Sequence, residues 1–217
     1  MKVGTDGVLL GAWANLPTPK GGLCLDVGTG TGLIALMLAQ RFPHAYIEGI
    51  DIDEASLEQA RENVEASFFA SQIRIAKKDF NDVNNYLKHY NLIVSNPPFY
   101  KEDTLSGNQA RDAARHTTSI PFETLIRNAA SLLADEGHFA VIIPYSNASD
   151  FISLCAMNQL YLSRRTDVRS SERKPFKRTL LEFCRHTQPT ITDTLTLCDP
   201  SGNRTLQYQQ LTEDFYL

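Results

Sequence analysis

Asn96-Pro97-Pro98-Phe99 is the stretch of this 217-residue sequence whose residue types prescribe a reaction. An exocyclic nitrogen attached to a π-system is a poor nucleophile because its lone pair is delocalised. The Asn96 side-chain oxygen and the Pro97 carbonyl can each accept one N–H bond from such a nitrogen. Two acceptors so placed favour a tetrahedral nitrogen and turn its lone pair toward an electrophile. Consecutive prolines stiffen the turn that carries both acceptors, and Phe99 offers a ring to stack on a flat substrate. The same residues also suit a plain rigid turn beside a core aromatic.

A second candidate lies upstream, in Asp26-Val27-Gly28-Thr29-Gly30-Thr31-Gly32. Glycines let the backbone approach a ligand closely, and a following helix N-terminus supplies unpaired N–H groups. The spacing is G-x-G-x-G led by an acid. It is not the dinucleotide pattern G-x-G-x-x-G, because residue 33 is Leu. Two further acids stand where strands should end. Asp51, with Ile52 beside it, lies 23 residues after Gly28, and Asp79 is followed by Phe80. Any one of these acids suits a helix cap; three in order ahead of Asn96 point to a shared site.

The elements that must position these residues alternate between apolar β-rich runs and helical patterns. Strands are predicted at 23–27, 45–50, 73–76, 92–95 and 139–143. Helices are predicted at 33–40, 54–66, from Pro121 to about Leu133 with a stop near Gly137, and at 150–157. Leu160–Val168 and Arg178–Arg185 read as a late antiparallel hairpin, and Leu195–Cys198 as a further short strand. The expected architecture is α/β: a mostly parallel seven-stranded sheet with a C-terminal antiparallel hairpin and helices on both faces. Ligands of such sheets sit at the carboxyl ends of the strands. The whole of 1–217 reads as one domain, with the basic hairpin at 160–185.

Composition excludes several classes. With 42% hydrophobic and 21% charged residues the chain is neither disordered nor fibrous, and no apolar run approaches the roughly 20 residues of a membrane helix. Nothing near Met1 resembles a signal peptide. Cys24, Cys155, Cys184 and Cys198 form no C-x-x-C pair, which fits reduced thiols in a cytoplasmic protein, and no metal-ligand cluster is evident. The net charge of −4 argues against nucleic acid until its distribution is considered. Residues 164–178 hold seven basic against two acidic residues, a net of +5, while the remainder carries −9 (14 basic, 23 acidic). Pro175 and Phe176 give that run an apolar tip. His44, His89, His138 and His186 show no partner pattern, and Trp13 reads as packing.

The acid-led glycine turn resembles motif I of class I S-adenosylmethionine-dependent methyltransferases, which implies a Rossmann-like fold and that cofactor. The resemblance places Asp26, Gly28, Thr29 and Gly30 at the ligand's amino-acid end. It puts Asp51 and Ile52 at the ribose, Asp79 and Phe80 at the adenine, and Asn96 between cofactor and substrate. Asn96–Phe99 is similar to the [DN]-P-P-[FYW] signature of enzymes that methylate planar amino or amide nitrogens. Met1–Trp13, Ala114-Arg115-His116-Thr117-Thr118, Arg164–Val168 and Asp214–Leu217 resemble the bacterial valine-tRNA adenine-N6 methyltransferase family.

That second resemblance covers essentially the whole chain. It implies methyl transfer from S-adenosylmethionine to N6 of the adenine just 3′ of the valine anticodon, position 37, by a monomer. The target base must be turned out of its loop. It implies that segment 1–20 leads a helix over the cofactor with Thr5, Asp6 and Gly7 near its methionine end. It implies RNA contacts at Arg115 and His116, and on the basic hairpin at Arg173, Lys174 and Lys177. The family usually carries a short aromatic and basic segment ahead of Met-Lys-Val-Gly, where this sequence starts, so a weaker cofactor closure and tRNA grip are expected.

Three other readings stay open at this point. One is a protein methyltransferase acting on a glutamine amide, which the same acceptor logic serves. Those enzymes usually carry Tyr in place of Phe99 and a helical domain before motif I, whereas 25 residues precede Asp26. The second is another Asn-Pro-Pro methyltransferase of RNA or DNA amines. The third is a non-catalytic RNA-binding domain, which would have no use for an intact glycine turn and Asn-Pro-Pro.

Overall fold

The computed structural model describes residues 4–18, 20–82, 89–98 and 120–216. Helix α1 (Thr5–Trp13) leads into β1 (Leu23–Val27), α2 (Leu33–Arg41), β2 (Tyr46–Asp51), α3 (Glu54–Glu65), β3 (Ile73–Lys77) and β4 (Tyr90–Ser95). Then follow α4 (Phe122–Leu132), β5 (Leu133–Pro144), α5 (Ala148–Met157), β6 (Tyr161–Ser171), β7 (Arg178–Cys184), β8 (Ile191–Cys198) and α6 (Leu206–Thr212).

The strands form one sheet in the order β3-β2-β1-β4-β5-β7-β6-β8. Only β7 runs against its neighbours, pairing antiparallel with both β5 and β6. The chain winds outward from β1 through β2 to β3, then crosses to β4 on the other side of β1, so a crevice opens between β1 and β4.

Alternate residues along the strands feed two cores. Cys24, Leu92, Ala140 and Leu180 pack with Leu9, Leu10 and Trp13 of α1 and Ile34 and Leu38 of α2. Leu25, Ile93, Val141 and Leu181 pack with Leu125 and Ile126 of α4 and Phe151 of α5. Both faces are therefore covered, which is why the strands read as continuous apolar runs.

Two expectations need correction. The sheet has eight strands, not seven, because β8 spans Ile191–Cys198 and pairs parallel with β6. Its first four residues lie exposed at the sheet edge, so Ile191-Thr192-Asp193-Thr194 carries no buried apolar signal. Strand β5 begins at Leu133, and Gly137 lies inside it rather than ending a helix. A Cβ at Gly137 would stand 2.8 Å from the Tyr90 carbonyl, so glycine there permits a close approach to β4.

A polar network ties α1 to the far side of the sheet. The Trp13 indole donates to Thr166 Oγ1 at 2.9 Å, and the Arg164 guanidinium lies 3.7 Å from the centre of a Trp13 ring. Arg164 donates to the Trp13 carbonyl at 2.7 Å and to Glu182 Oε2 at 3.0 Å. His138 Nδ1 approaches Glu182 at 3.6 Å, an ion-pair distance too long for a hydrogen bond. His186 likewise faces Glu136 at 3.3 Å, so two histidines without a sequence pattern have carboxylate neighbours.

Burial opposes ionisation of Glu182, but His138 and Arg164 outweigh it and hold its carboxyl below the ordinary value of 4.5. A carboxylate with a depressed pKa contributes stability above its unfolded pKa, and the contribution fades as pH falls through the folded one. Arg164→Met should lower unfolding free energy at pH 7 by about 3 kcal/mol, the low end for a broken buried pair. Urea denaturation should show that deficit shrinking below pH 4.5 as Glu182 protonates; an equal deficit at pH 3 and 7 would contradict the account.

Candidate functional site

The carboxyl ends of the strands around the β1–β4 crevice enclose a cavity of about 420 Å³, within the range of small-molecule sites. Its first wall is the turn after β1. Gly28, Gly30 and Gly32 adopt φ of +73°, +55° and +81°, the left-handed region that glycine enters without strain. The N–H groups of Gly28 and Thr29 both donate to the Ile50 carbonyl at 2.9 Å, and the Gly30 N–H donates to Asp51 Oδ2 at 3.0 Å. Gly28, Thr29, Gly30 and Thr31 line the cavity, with Leu33 and Ile34 from the start of α2.

Asp51 ends β2 and anchors the second wall. Its Oδ1 accepts from the N–H groups of Ile52 at 2.7 Å and Asp53 at 3.1 Å. These bonds fix the carboxylate while it and Ile52 face the cavity, leaving it able to accept from a pair of ligand hydroxyls. Asp79 is exposed and also lines the cavity; its Oδ1 accepts from the Asn81 N–H and side-chain amide, both at 2.8 Å. Phe80 lines it from within the core, only 1% exposed, and its carbonyl accepts from Asn128 at 2.6 Å.

The third wall follows β4. Ser95 Oγ donates to the Val27 carbonyl at 3.0 Å, locking the end of β4 to β1. Asn96 is half-buried, Pro97 buried, and both line the cavity with Pro98. Among the described residues no hydrogen bond engages the Asn96 side chain, so its oxygen is available to a ligand. Phe99, Arg115 and His116 lie outside the described residues.

Three residues expected at the cofactor do not line the cavity. Thr5 and Asp6 are two of them; Gly7, expected with them, lines the cavity together with Gly4. Asp6 Oδ2 instead accepts from Arg178 Nε at 2.7 Å. Asp26 is fully buried beneath the turn it precedes, where its Oδ2 accepts from the Thr29 hydroxyl at 2.6 Å. Its Oδ1 has no hydrogen-bond partner; the Ala35 amide pulls on the carboxyl without closing a bond of normal geometry. Burial pushes Asp26 up to about 7, opposed by Thr29 and Ala35 and reinforced by the charge of Asp51.

Other lining residues gave no sequence signal. Lys78 is one, and its ammonium donates to Glu48 Oε1 at 2.9 Å while the Tyr90 hydroxyl donates to Glu48 Oε2 at 2.5 Å. Arg173, Lys174 and Lys177 stand exposed on the turn joining β6 and β7. Among the described residues no group of three or more His, Cys, Asp or Glu side chains could hold a metal ion, and no helix is long and apolar enough to cross a membrane.

The residues present fit S-adenosylmethionine. Asp51 offers acceptors to vicinal hydroxyls, Asp79 an acceptor to an amino group, and Phe80 an apolar flank. The buried Asp26 carboxyl, one of whose oxygens has no hydrogen-bond partner among the described residues, would favour a cationic group above the glycine turn.

Comparison with known proteins agrees. The methyltransferase small domain family matches residues 8–160. A tRNA1(Val) (adenine(37)-N6)-methyltransferase of Porphyromonas gingivalis is 44% identical over 230 residues, spanning 100% of this chain and 89% of the relative. One from Pectobacterium carotovorum is 40% identical over 219 residues, spanning 100% and 88%. Among solved structures, a predicted O-methyltransferase from Agrobacterium tumefaciens superposes with a TM-score of 0.76 at 17% identity, covering 96% of each chain. TrmN from Thermus thermophilus gives 0.55 at 23% identity over 76% of this chain and 44% of its own. Those two likenesses bear on the fold, a Rossmann-like methyltransferase sheet. By its full-length relatives and by the geometry of its crevice, this chain belongs to the tRNA1(Val) (adenine(37)-N6)-methyltransferase family of S-adenosylmethionine-dependent enzymes.

Proposed function

We propose that this chain methylates the exocyclic N6 of an adenine in tRNA, adenine 37 of a valine tRNA, in the cytoplasm. The observation that carries the reading is the unengaged Asn96 side chain, held between a buried proline and the locked end of β4, on the cavity that Asp51 and Asp79 also line. Bound S-adenosylmethionine supplies an electrophilic methyl on a sulfonium.

The chain's own residues prepare the nucleophile. Asn96 Oδ1 and the Pro97 carbonyl each accept one N–H of the adenine amine, so the nitrogen lone pair leaves conjugation and points along the line of attack. The cofactor, held by the cavity that Asp51 and Asp79 line, would supply the methyl to that nitrogen, the C–S bonding pair staying on sulfur. The alkylated nitrogen is acidic and releases its extra proton to water. Phe99, next in the chain, is the residue proposed to stack on the base. Because both acceptors act on the reacting nitrogen, they act mainly in the transition state.

The glutamine-amide alternative shares this chemistry but gives no use to the exposed Arg173, Lys174 and Lys177 on the +5 hairpin. Nucleic-acid phosphates do.

Two experiments follow. Asn96→Ala should cut single-turnover methylation of valine tRNA by about a hundredfold or more, the usual loss of one preorganised hydrogen-bonding group. Nucleoside mass spectrometry reads out N6-methyladenosine, and calorimetry should find S-adenosylhomocysteine affinity largely retained; near-normal turnover contradicts the mechanism. Reversing charge at Arg173, Lys174 and Lys177 together should weaken tRNA binding about tenfold or more and lower the slope of log K against log salt by roughly two. Unchanged tRNA affinity would remove the hairpin from the interface.

A further inference from the structure

Beyond the cavity, at the same end of the sheet, two aromatic rings stand stacked among cations. Tyr145 follows Pro144 at the end of β5, and Phe176 lies on the turn joining β6 and β7. Their ring centroids are 5.5 Å apart with planes tilted by 32°. The Arg165 guanidinium lies 5.5 Å from the centre of Tyr145, and that of Arg169 lies 5.3 Å from the centre of Phe176. Arg165 and Arg169 are four residues apart on β6, so they share one face of the strand.

Three parts of this ladder, Arg165, Arg169 and the Tyr145 backbone, are fixed from outside it. Arg165 Nε donates to Asp167 at 2.8 Å, and Arg169 Nε donates to Thr196 Oγ1 at 2.9 Å. The Tyr145 N–H donates to the Lys177 carbonyl at 3.1 Å, joining the end of β5 to the hairpin. Yet Tyr145 remains 39% exposed. A tyrosine held in place but left open loses little side-chain freedom when something stacks on it.

Charge and register say what that partner is. Arg165, Arg169, Arg173, Lys174, Lys177 and Arg178 crowd this region against the carboxylates of Asp6, Asp167 and Glu172. Ser95 pairs with Val141, so Tyr145 stands three residues beyond the level of Asn96 and one strand over, roughly 10 Å away along the strand line. We infer that Tyr145 and Phe176 form a second stacking subsite, taking the unpaired base of a nucleotide that flanks the one being methylated. The inference rests on the RNA reading above. The rings accept a base face, the cations hold its phosphates, and the combination tolerates any base.

Methylation kinetics on an anticodon stem-loop of valine tRNA test it. Tyr145→Ala and Phe176→Leu should each raise the KM for RNA about tenfold, the loss of one base–aromatic stack, with kcat unchanged. Tyr145→Phe should keep the wild-type KM, and all three should keep wild-type S-adenosylhomocysteine affinity and melting temperature. An abasic site placed at each flanking nucleotide in turn should raise the wild-type KM at one of them by a similar factor, and add little to Tyr145→Ala. This second arm uses wild-type protein and so does not depend on how the variants fold. Wild-type KM in the alanine variant, or an abasic penalty at neither flank, overturns the subsite while RNA methylation stands. A wild-type enzyme that methylates no RNA overturns the RNA reading and the subsite with it.

Discussion

The site depends on one alignment, the register of three parallel strands. Val27 on β1 pairs with Ile50 on β2 and with Ser95 on β4. The residues that follow, Gly28, Asp51 and Asn96, therefore leave the sheet at one level, on three adjacent strands. Two of those exits share their hydrogen bonds, since the Gly28, Thr29 and Gly30 N–H groups all turn toward the end of β2. They donate to the Ile50 carbonyl and the Asp51 carboxylate. Shifting β2 by one residue would remove both acceptors and turn Asp51 to the other face. The walls of the cavity are thus consequences of strand pairing, and the apolar runs that fix that pairing shape it as much as the polar residues do.

Charge is organised in the same way, by place more than by amount. The −4 of the whole chain conceals a +5 stretch on β6 and its turn to β7, one strand in from the sheet edge opposite β3. Inside the protein, carboxylates take different roles according to their partners. Glu182 stays ionised because Arg164 and His138 face it. Asp26, whose carboxyl accepts from the Thr29 hydroxyl and is otherwise buried, is pushed up to about 7 beneath the glycine turn.

Most of this was legible in the sequence because the signals are local. A strand buried on both faces announces itself by an apolar run, and the glycines at 28, 30 and 32 by a conformation that side chains rarely adopt. Asp51, Asp79 and Asn96 were found because each follows such a run. What was not legible depends on distant partners. Asp6 was expected at the cofactor, but the arginine it meets is 172 residues away. Gly7, expected beside Thr5 and Asp6, does line the cavity, and Gly4 joins it. The exposed first half of β8, Ile191–Thr194, and the Tyr145–Phe176 pair were missed for the same reason, since each is defined by what it packs beside. Gly137 was misread because a close approach between strands and a helix stop use the same residue.

Helix α1 is where these distant contacts converge. Seven of its nine residues are buried, so its position is set by packing on all sides and not by an amphipathic stripe. Its start brings Gly4 and Gly7 to the cavity, while Asp6 pairs with Arg178 at the root of the basic hairpin. Its end is clasped by Arg164 and Thr166 of β6 and by Arg41 of α2, which donates to the Gly11 and Ala14 carbonyls. The Asp6–Arg178 pair is about one third exposed on each side and contributes little stability by itself. Its consequence is geometric: the segment that lines the cofactor cavity and the hairpin that carries the excess positive charge are braced against each other. The cavity and the basic hairpin therefore meet on one support, helix α1.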